Sequence, residues 1–270
     1  MGLEGEYKMQ SSEVVLSGGN MNSPILKNQL IYKEATSASR TIHELLVHVR
    51  EQGITWIPES RGINSEGKHV LTYLEGEVPH DTPEWLWQET IMLESAKRLR
   101  QWHDATVDFK LESADWLLKN DEEQEVICHN DFAPYNCVFQ DQQLIGVIDF
   151  DVCSPGSRLW DIAYTAYRFV PLFPCERTDQ SDEVSPFSMC QMIERLGRFL
   201  DEYSRGDAIY RYGIPEVTTK VEKRLLALAE WSQQFGVQSQ NEELTRHAKM
   251  YMRHATWINK QLKEAYHCDQ

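Results

Sequence analysis

The sequence holds no apolar run near the ~20 residues that a membrane-spanning helix needs, so no membrane association is expected. Its opening, Met1-Gly2-Leu3-Glu4-Gly5-Glu6-Tyr7-Lys8, lacks the basic-then-apolar order of a secretory signal and misses the myristoylation pattern. The cysteines at 128, 137, 153, 175, 190 and 268 form no Cys-x-x-Cys pair and fit no zinc spacing. They are expected as free thiols of a cytoplasmic protein. Positive charge is scarce: 27 Lys and Arg stand against 42 Asp and Glu, a formal net charge of −15. Such a surface repels phosphate backbones, so no nucleic-acid partner is expected. It either draws cationic small molecules or serves solubility alone.

The 270 residues suffice for one large domain or two lobes. The first part reads as strands. Glu13-Val14-Val15-Leu16, Ile25-Leu26-Lys27 and Leu30-Ile31-Tyr32-Lys33 form a meander, with turns at Ser17-Gly18-Gly19-Asn20 and Asn28-Gln29. The Gly18-Gly19 turn is either a plain hairpin or a backbone cradle over phosphates. Lys33 ends a strand face shared with Ile31, so it either faces solvent or reaches phosphates as a point charge. Ser39 to Gln52 reads as a helix with Ile42, Leu45, Leu46 and Val49 in one stripe, Ser37 or Ser39 as N-cap, and Gly53 as its stop.

More strand follows to Leu74. The segment Glu75-Gly76-Glu77-Val78-Pro79 then marks the boundary between a lobe of residues 1–77 and one of residues 78–270. Beyond it a single helix is expected from a cap at Asp81 or Thr82, through Pro83, to about His103. Next come a strand at Val126-Ile127-Cys128, a hairpin at residues 137–148, a loop at Ser154-Pro155-Gly156-Ser157, and a buried helix at residues 159–167. Residues 174–185 read as a loop, and residues 186–203, 215–235 and 242–266 show helical apolar spacing.

The chemistry concentrates in His129-Asn130-Asp131-Phe132-Ala133-Pro134-Tyr135-Asn136 and, one hairpin later, Ile148-Asp149-Phe150-Asp151. Phosphoryl transfer needs a carboxylate beside the attacking hydroxyl and metal ions on the phosphates. Mg²⁺ takes oxygen ligands and only one or two from protein. Asp131 can accept or orient a hydroxyl proton, and Asn136 and Asp149 can each offer an oxygen to Mg²⁺. The Asp131-to-Asn136 spacing equals that of a kinase catalytic loop, and Asp149-Phe150-Asp151 stands where Asp-Phe-Gly would.

These motifs, continuing into Asp161-Ile162-Ala163-Tyr164, resemble the aminoglycoside phosphotransferase and choline kinase family. The resemblance covers residues 13–170, and the later helices match by type only. It implies an α+β, bilobal protein-kinase-like fold: a small antiparallel-sheet N-lobe with one helix and a larger, mostly helical C-lobe. It implies Asp131 as catalytic base, Asn136 and Asp149 as Mg²⁺ ligands, and Lys33 on the phosphates of ATP or GTP. His129 would be structural, and Asp161 would anchor the catalytic loop. The connector Tyr73-Leu74-Glu75 would face the base of the nucleotide. In kinases a helix glutamate holds the lysine. Here Glu44 is that partner, with His43, closer to the apolar stripe, as its rival. Asp151 stands in place of a glycine, either adding to the metal site or bracing the turn.

The implied reaction is transfer of a γ-phosphoryl group to a hydroxyl of a small molecule. The alternatives are an inactive nucleotide-binding relative or a protein kinase. The absence of an Ala-Pro-Glu segment after Asp149 speaks against the last. Asp179, Asp182, Glu183, Glu242 and Glu243, with the rings of Trp160, Tyr164, Tyr167, Trp231 and Trp257, would suit an amine-bearing acceptor, unless the acids are solvated and the rings are core.

Overall fold

The computed structural model describes residues 13–16, 24–79, 81–119, 122–176, 183–262 and 264. The Gly18-Gly19 turn, Asp179, Asp182 and Cys268 lie outside them.

The first part is a five-stranded antiparallel sheet of β1 (Val14–Val15), β2 (Ile25–Lys27), β3 (Leu30–Glu34), β4 (Ser60–Ile63) and β5 (Lys68–Thr72), with helix α1 (Ser39–Glu51) between β3 and β4. The strand order is β1-β2-β3-β5-β4. Asn28 and Gln29 both take left-handed backbone angles, φ 51° and 59°, the two-residue turn whose twist suits a hairpin. That turn sets Lys27 opposite Leu30 and, on the next ladder, Lys33 opposite His69. Paired residues share a sheet face. Lys33 and His69 therefore project together.

Helix α1 buries Ile42, Leu45, Leu46 and Val49 as its spacing predicts, and Gly53 ends it at φ 90°. Its cap differs from expectation. Ala38 is the N-cap and makes no side-chain bond, while Ser39 Oγ accepts the backbone N–H of Thr36 at 2.9 Å. The hydroxyl closes the turn that leads into the helix.

The connector is fastened to the second part. Glu77 and Phe139 exchange backbone hydrogen bonds, both 2.8 Å. The fit leaves no room at Gly76: a Cβ there would come within 2.6 Å of Phe139 O and of Val138 Cγ1. Because the first of these is backbone, Gly76→Ala is expected to destabilise the protein by about 1–3 kcal/mol. Urea titration tests this, and an unchanged midpoint would refute it.

The second part contains α2 (Glu89–Thr106), β6 (Val126–Cys128), β7 (Cys137–Gln140), β8 (Gln143–Val147), β9 (Ser154–Gly156), α3 (Arg158–Phe169), α4 (Met189–Ser204), α5 (Ile214–Ser239) and α6 (Glu242–Trp257). The helix expected from residue 81 is in fact two pieces. Pro83 and Gln88 are extended, at ψ 150° and 138°, and isolate a 3-10 turn at Glu84–Trp87. Packing favours the break: Leu86 is buried and Trp85 meets Phe139 edge-on at 5.0 Å.

The stretch expected as a loop at residues 154–157 includes β9, which pairs antiparallel with β6. Pro155 is tolerated because this ladder has only two strands. Among the described residues no helix is long and apolar enough to cross a membrane. One apolar cluster runs from α1 (Ile42, Leu45, Leu46) through Phe132, Val147 and Phe150 to Tyr167 and Phe199. It holds the sheet against the helices.

Candidate active site

The loop between β6 and β7 is built around Asp161, which is fully buried on α3. Asp161 Oδ2 accepts the backbone N–H of His129 at 2.7 Å, and Oδ1 accepts that of Asn130 at 2.9 Å. His103 Nε2 of α2 adds a third bond to Oδ2 at 3.1 Å. Burial alone would raise this carboxyl. The bonds from His103 and His129 outweigh it, and the group stays below the usual carboxylate range. Asn130 takes a left-handed φ of 66°, which asparagine tolerates. Its amide donates to Val152 O at 2.9 Å and Ser154 Oγ at 2.8 Å, and its carbonyl accepts Arg224 Nη2 of α5 at 2.8 Å. Four contacts thus hold the residue before Asp131.

Asp131 receives bonds on both oxygens. Tyr135 O–H donates to Oδ1 at 2.6 Å, and Asn136 Nδ2 donates to Oδ2 at 2.8 Å. Tyr135 in turn lies 2.7 Å from the Tyr164 hydroxyl. Burial raises the Asp131 carboxyl to about 6, against the pull of the Tyr135 bond. Asn136 also donates to Asp131 O at 2.9 Å, so its amide hydrogens are committed and its carbonyl oxygen is the group left to give.

The β7–β8 hairpin carries Asp149 to the same place. Its two-residue turn, Asp141-Gln142, is left-handed at both positions, φ 49° and 60°. Cys137 pairs with Val147, and Ile148 N–H donates to Asn136 O at 2.9 Å. Asp149 has φ 65° and is exposed. Burial among surrounding protein raises its carboxyl, countered by Lys33. Because the group opens to water, that burial effect is partly screened. The pair offers two oxygen donors, a set that suits Mg²⁺ with phosphates and water completing its shell. Among the described residues no cluster of three or more His, Cys, Asp or Glu side chains is gathered for a metal.

Lys33 joins this group through an ion pair with Asp151, Nζ to Oδ1 2.6 Å. Glu44, the expected partner, lies on the exposed face of α1. His43 points inward instead: its Nδ1 is 2.9 Å from Ser60 Oγ, which is 2.8 Å from His69 Nε2. In the connector, Tyr73 N–H is engaged by Gln29 O at 2.9 Å, and Glu75 is exposed.

The rings expected to bind an amine already face guanidinium groups. Arg224 lies 4.8 Å over Trp160 and 5.4 Å over Tyr164, and Arg168 lies 5.6 Å over Tyr167 and 5.4 Å over Tyr135. Glu183 is paired with Arg168 at 3.2 Å. Trp231 stacks on Phe235 at 5.4 Å, and Trp257 is buried. Sequence reasoning missed Tyr135, Arg168 and Arg224. Its signal for the arginines was a cation on an otherwise apolar helix face, as Arg168 is on α3.

Among the described residues four buried histidines mark the pH range of stability. Burial first of all holds His69 and His254 down to about 4, and it also lowers His103 and His129. An unfolded imidazole titrates near ~6.5, so the unfolded chain binds more protons below that value and acid favours it. Each imidazole removes about 1.4 kcal/mol per pH unit within its window. The raised Asp131 acts in the opposite sense between ~4 and about 6, and Asp149, also raised by burial, acts in the same direction as Asp131. With four groups against two, the urea midpoint is expected to drop between about pH 6.5 and about pH 4. A flat profile there would refute the assignment of neutral histidines.

A five-stranded antiparallel sheet with one helix, joined to a mostly helical part that carries the loop and hairpin, is a protein-kinase-like fold. The chain belongs to the phosphotransferase enzyme family, APH, which it matches over residues 69–207. It is 28% identical over 200 residues to the trifolitoxin immunity protein of Rhizobium leguminosarum bv. trifolii, 72% of this chain and 74% of that one. Its fold is similar to a choline/ethanolamine kinase family protein from Mesorhizobium loti, with TM-score 0.65 and 14% identity over 97% of this chain and 92% of that one. It is also similar to the GDP complex of aminoglycoside 2'-phosphotransferase-IIIa, with TM-score 0.58 and 13% identity over 93% and 95% of the two chains.

Proposed function

We propose that the protein transfers the γ-phosphoryl group of ATP or GTP to a hydroxyl of a small molecule. The observation that carries this reading is the gathering of Asp131 and Asn136 on the β6–β7 loop with Asp149 just past the β7–β8 hairpin, the loop being locked from below by Asp161. Asp131 takes the acceptor's proton on a carboxylate oxygen as the acceptor oxygen bonds to the γ-phosphorus. The bond to the β–γ bridging oxygen breaks, and the nucleoside diphosphate leaves. Asn136 and Asp149 would hold Mg²⁺, which when bound neutralises charge on the phosphate oxygens. Lys33 supplies a further positive charge. With Tyr73 N–H engaged, contacts to the base fall to the Tyr73 carbonyl and the backbone of Leu74 and Glu75.

An amine-bearing acceptor loses its main support, because the rings beside Asp131 face Arg168 and Arg224. The acceptor class is therefore open to neutral polyols and hydroxy acids. The relative named for immunity to trifolitoxin adds a toxin hydroxyl to the candidates.

Nucleotide consumption with Mg²⁺ against a panel of alcohols, sugars, hydroxy acids and amino alcohols is the test. Acceptor-dependent turnover lost in both Asp131→Ala and Asp149→Ala supports the reading. Nucleotide binding without turnover on any acceptor would make the protein an inactive relative. Full activity in Asp131→Ala would overturn the mechanism.

A further inference from the structure

We infer that Asp151 is the positioning residue for Lys33, in the place where kinases use a carboxylate from the helix. The inference rests on the nucleotide-binding reading above and assigns a role to a residue that reading does not use.

Three observations converge. Lys33 Nζ lies 2.6 Å from Asp151 Oδ1, and both side chains are mostly shielded, at 15% and 23% exposure. A lysine stem has four rotors, so one fixed anion near its end decides where its charge sits. Second, α1 supplies no carboxylate to this position. Its inward residue is His43, which is spent on the hydrogen-bonded line His43–Ser60–His69. Glu44 is turned to solvent. His69, opposite Lys33 on β5, is fully buried, so a neutral side chain occupies the remaining flank of the lysine. Third, Asp151 sits two residues past Asp149 on a turn already fixed by Asn130, whose amide donates to Val152 O. The anion that aims Lys33 is thereby tied to the catalytic loop rather than to a helix.

The arrangement leaves Lys33 able to serve phosphates as well. An ammonium has three donors, and Asp151 takes one. Binding of nucleotide does not require the pair to break. Lys33 and the Asp149 turn are then aligned by one contact, and displacing α1 would not release the lysine.

The test is a double-mutant cycle on nucleotide binding and on KM and kcat, with Lys33→Met, Asp151→Asn, their combination, and Glu44→Ala. Binding is read with a fluorescent nucleotide, with Mg²⁺ and with chelator. Asp151→Asn is expected to raise nucleotide KM about tenfold with a smaller change in kcat, the size of one lost charge-assisted bond. In the Lys33→Met background the same substitution is expected to add nothing. Asp151→Glu is expected to recover part of the loss, and Glu44→Ala is expected to match wild type.

Equal effects of Asp151→Asn in both backgrounds would overturn the inference, since Asp151 would then act without Lys33. So would an effect confined to the Mg²⁺ arm, which would make it a metal ligand, or a Glu44→Ala defect as large as that of Lys33→Met. Wild-type protein that binds no nucleotide in either arm would instead overturn the underlying reading, and this inference with it. Melting temperatures of all variants separate misfolding from lost binding.

Discussion

Asp131→Asn is expected to lower acceptor-dependent turnover by about 10²–10⁴-fold, the usual worth of a positioned general base. The substitution suits the site, because its hydrogen bonds can be kept. The new amide can turn its oxygen to Asn136 Nδ2 and its nitrogen to Tyr135, whose hydroxyl can accept as readily as donate. The fold should therefore survive, and the loss should fall on kcat with nucleotide binding in place. The wild-type profile should carry the same signature. The Asp131 carboxyl sits at about 6, raised chiefly by burial, and only its ionised form can take a proton. Turnover should fall as pH drops below about 6 and lose that limb in the variant. A variant retaining wild-type kcat, or a wild-type rate indifferent to pH in this range, would show that the proton goes elsewhere.

Asp161→Ala is expected to be the most damaging single change to stability, by about 3–5 kcal/mol. The residue is fully buried and its two oxygens satisfy the N–H groups of His129 and Asn130 as well as His103. Alanine leaves all three donors without an acceptor in a dry interior, where each costs about 1–3 kcal/mol. Against a total of about 5–15 kcal/mol for an ordinary protein, the loss is large. The sign with pH follows from a depressed carboxyl: the contribution is complete above the unfolded value of ~3.9 and disappears as acid protonates the folded group. Urea midpoints of the variant and wild type at neutral pH decide it. A shift below about 1 kcal/mol would mean that water or a neighbour replaces the carboxylate.

The candidate site was legible where its geometry is local. Asp131, Asn136 and Asp149 lie within one loop and one hairpin, so spacing alone places them together. The stripe of α1 and the strand meander were legible for the same reason. The partner of Lys33 was not. Asp151 is 118 residues away, and periodicity on α1 reports which face is apolar, not which charge meets a given lysine. The break at Gln88 was hidden because the packing of Trp85 on Phe139 overrides local helix preference. Strand β9 was hidden by Pro155, which reads as loop until its partner β6 is known. The rings at Trp160, Tyr164 and Tyr167 were read either as faces for a substrate's cation or as core, and all three are buried. The cations that meet them belong to the chain itself, and a helical pattern cannot show that.

The apolar cluster that runs unbroken from α1 to α4 bears on the modularity of the chain. The connector near residue 77 joins the sheet part to the helical part, but it does not divide the interior. A cut or a recombination junction there would leave each half with a bare apolar face, and the Glu77–Phe139 exchange would be lost with it. The sheet half cannot be traded between relatives as a cassette. Its buried face can change only in step with the helices beneath it.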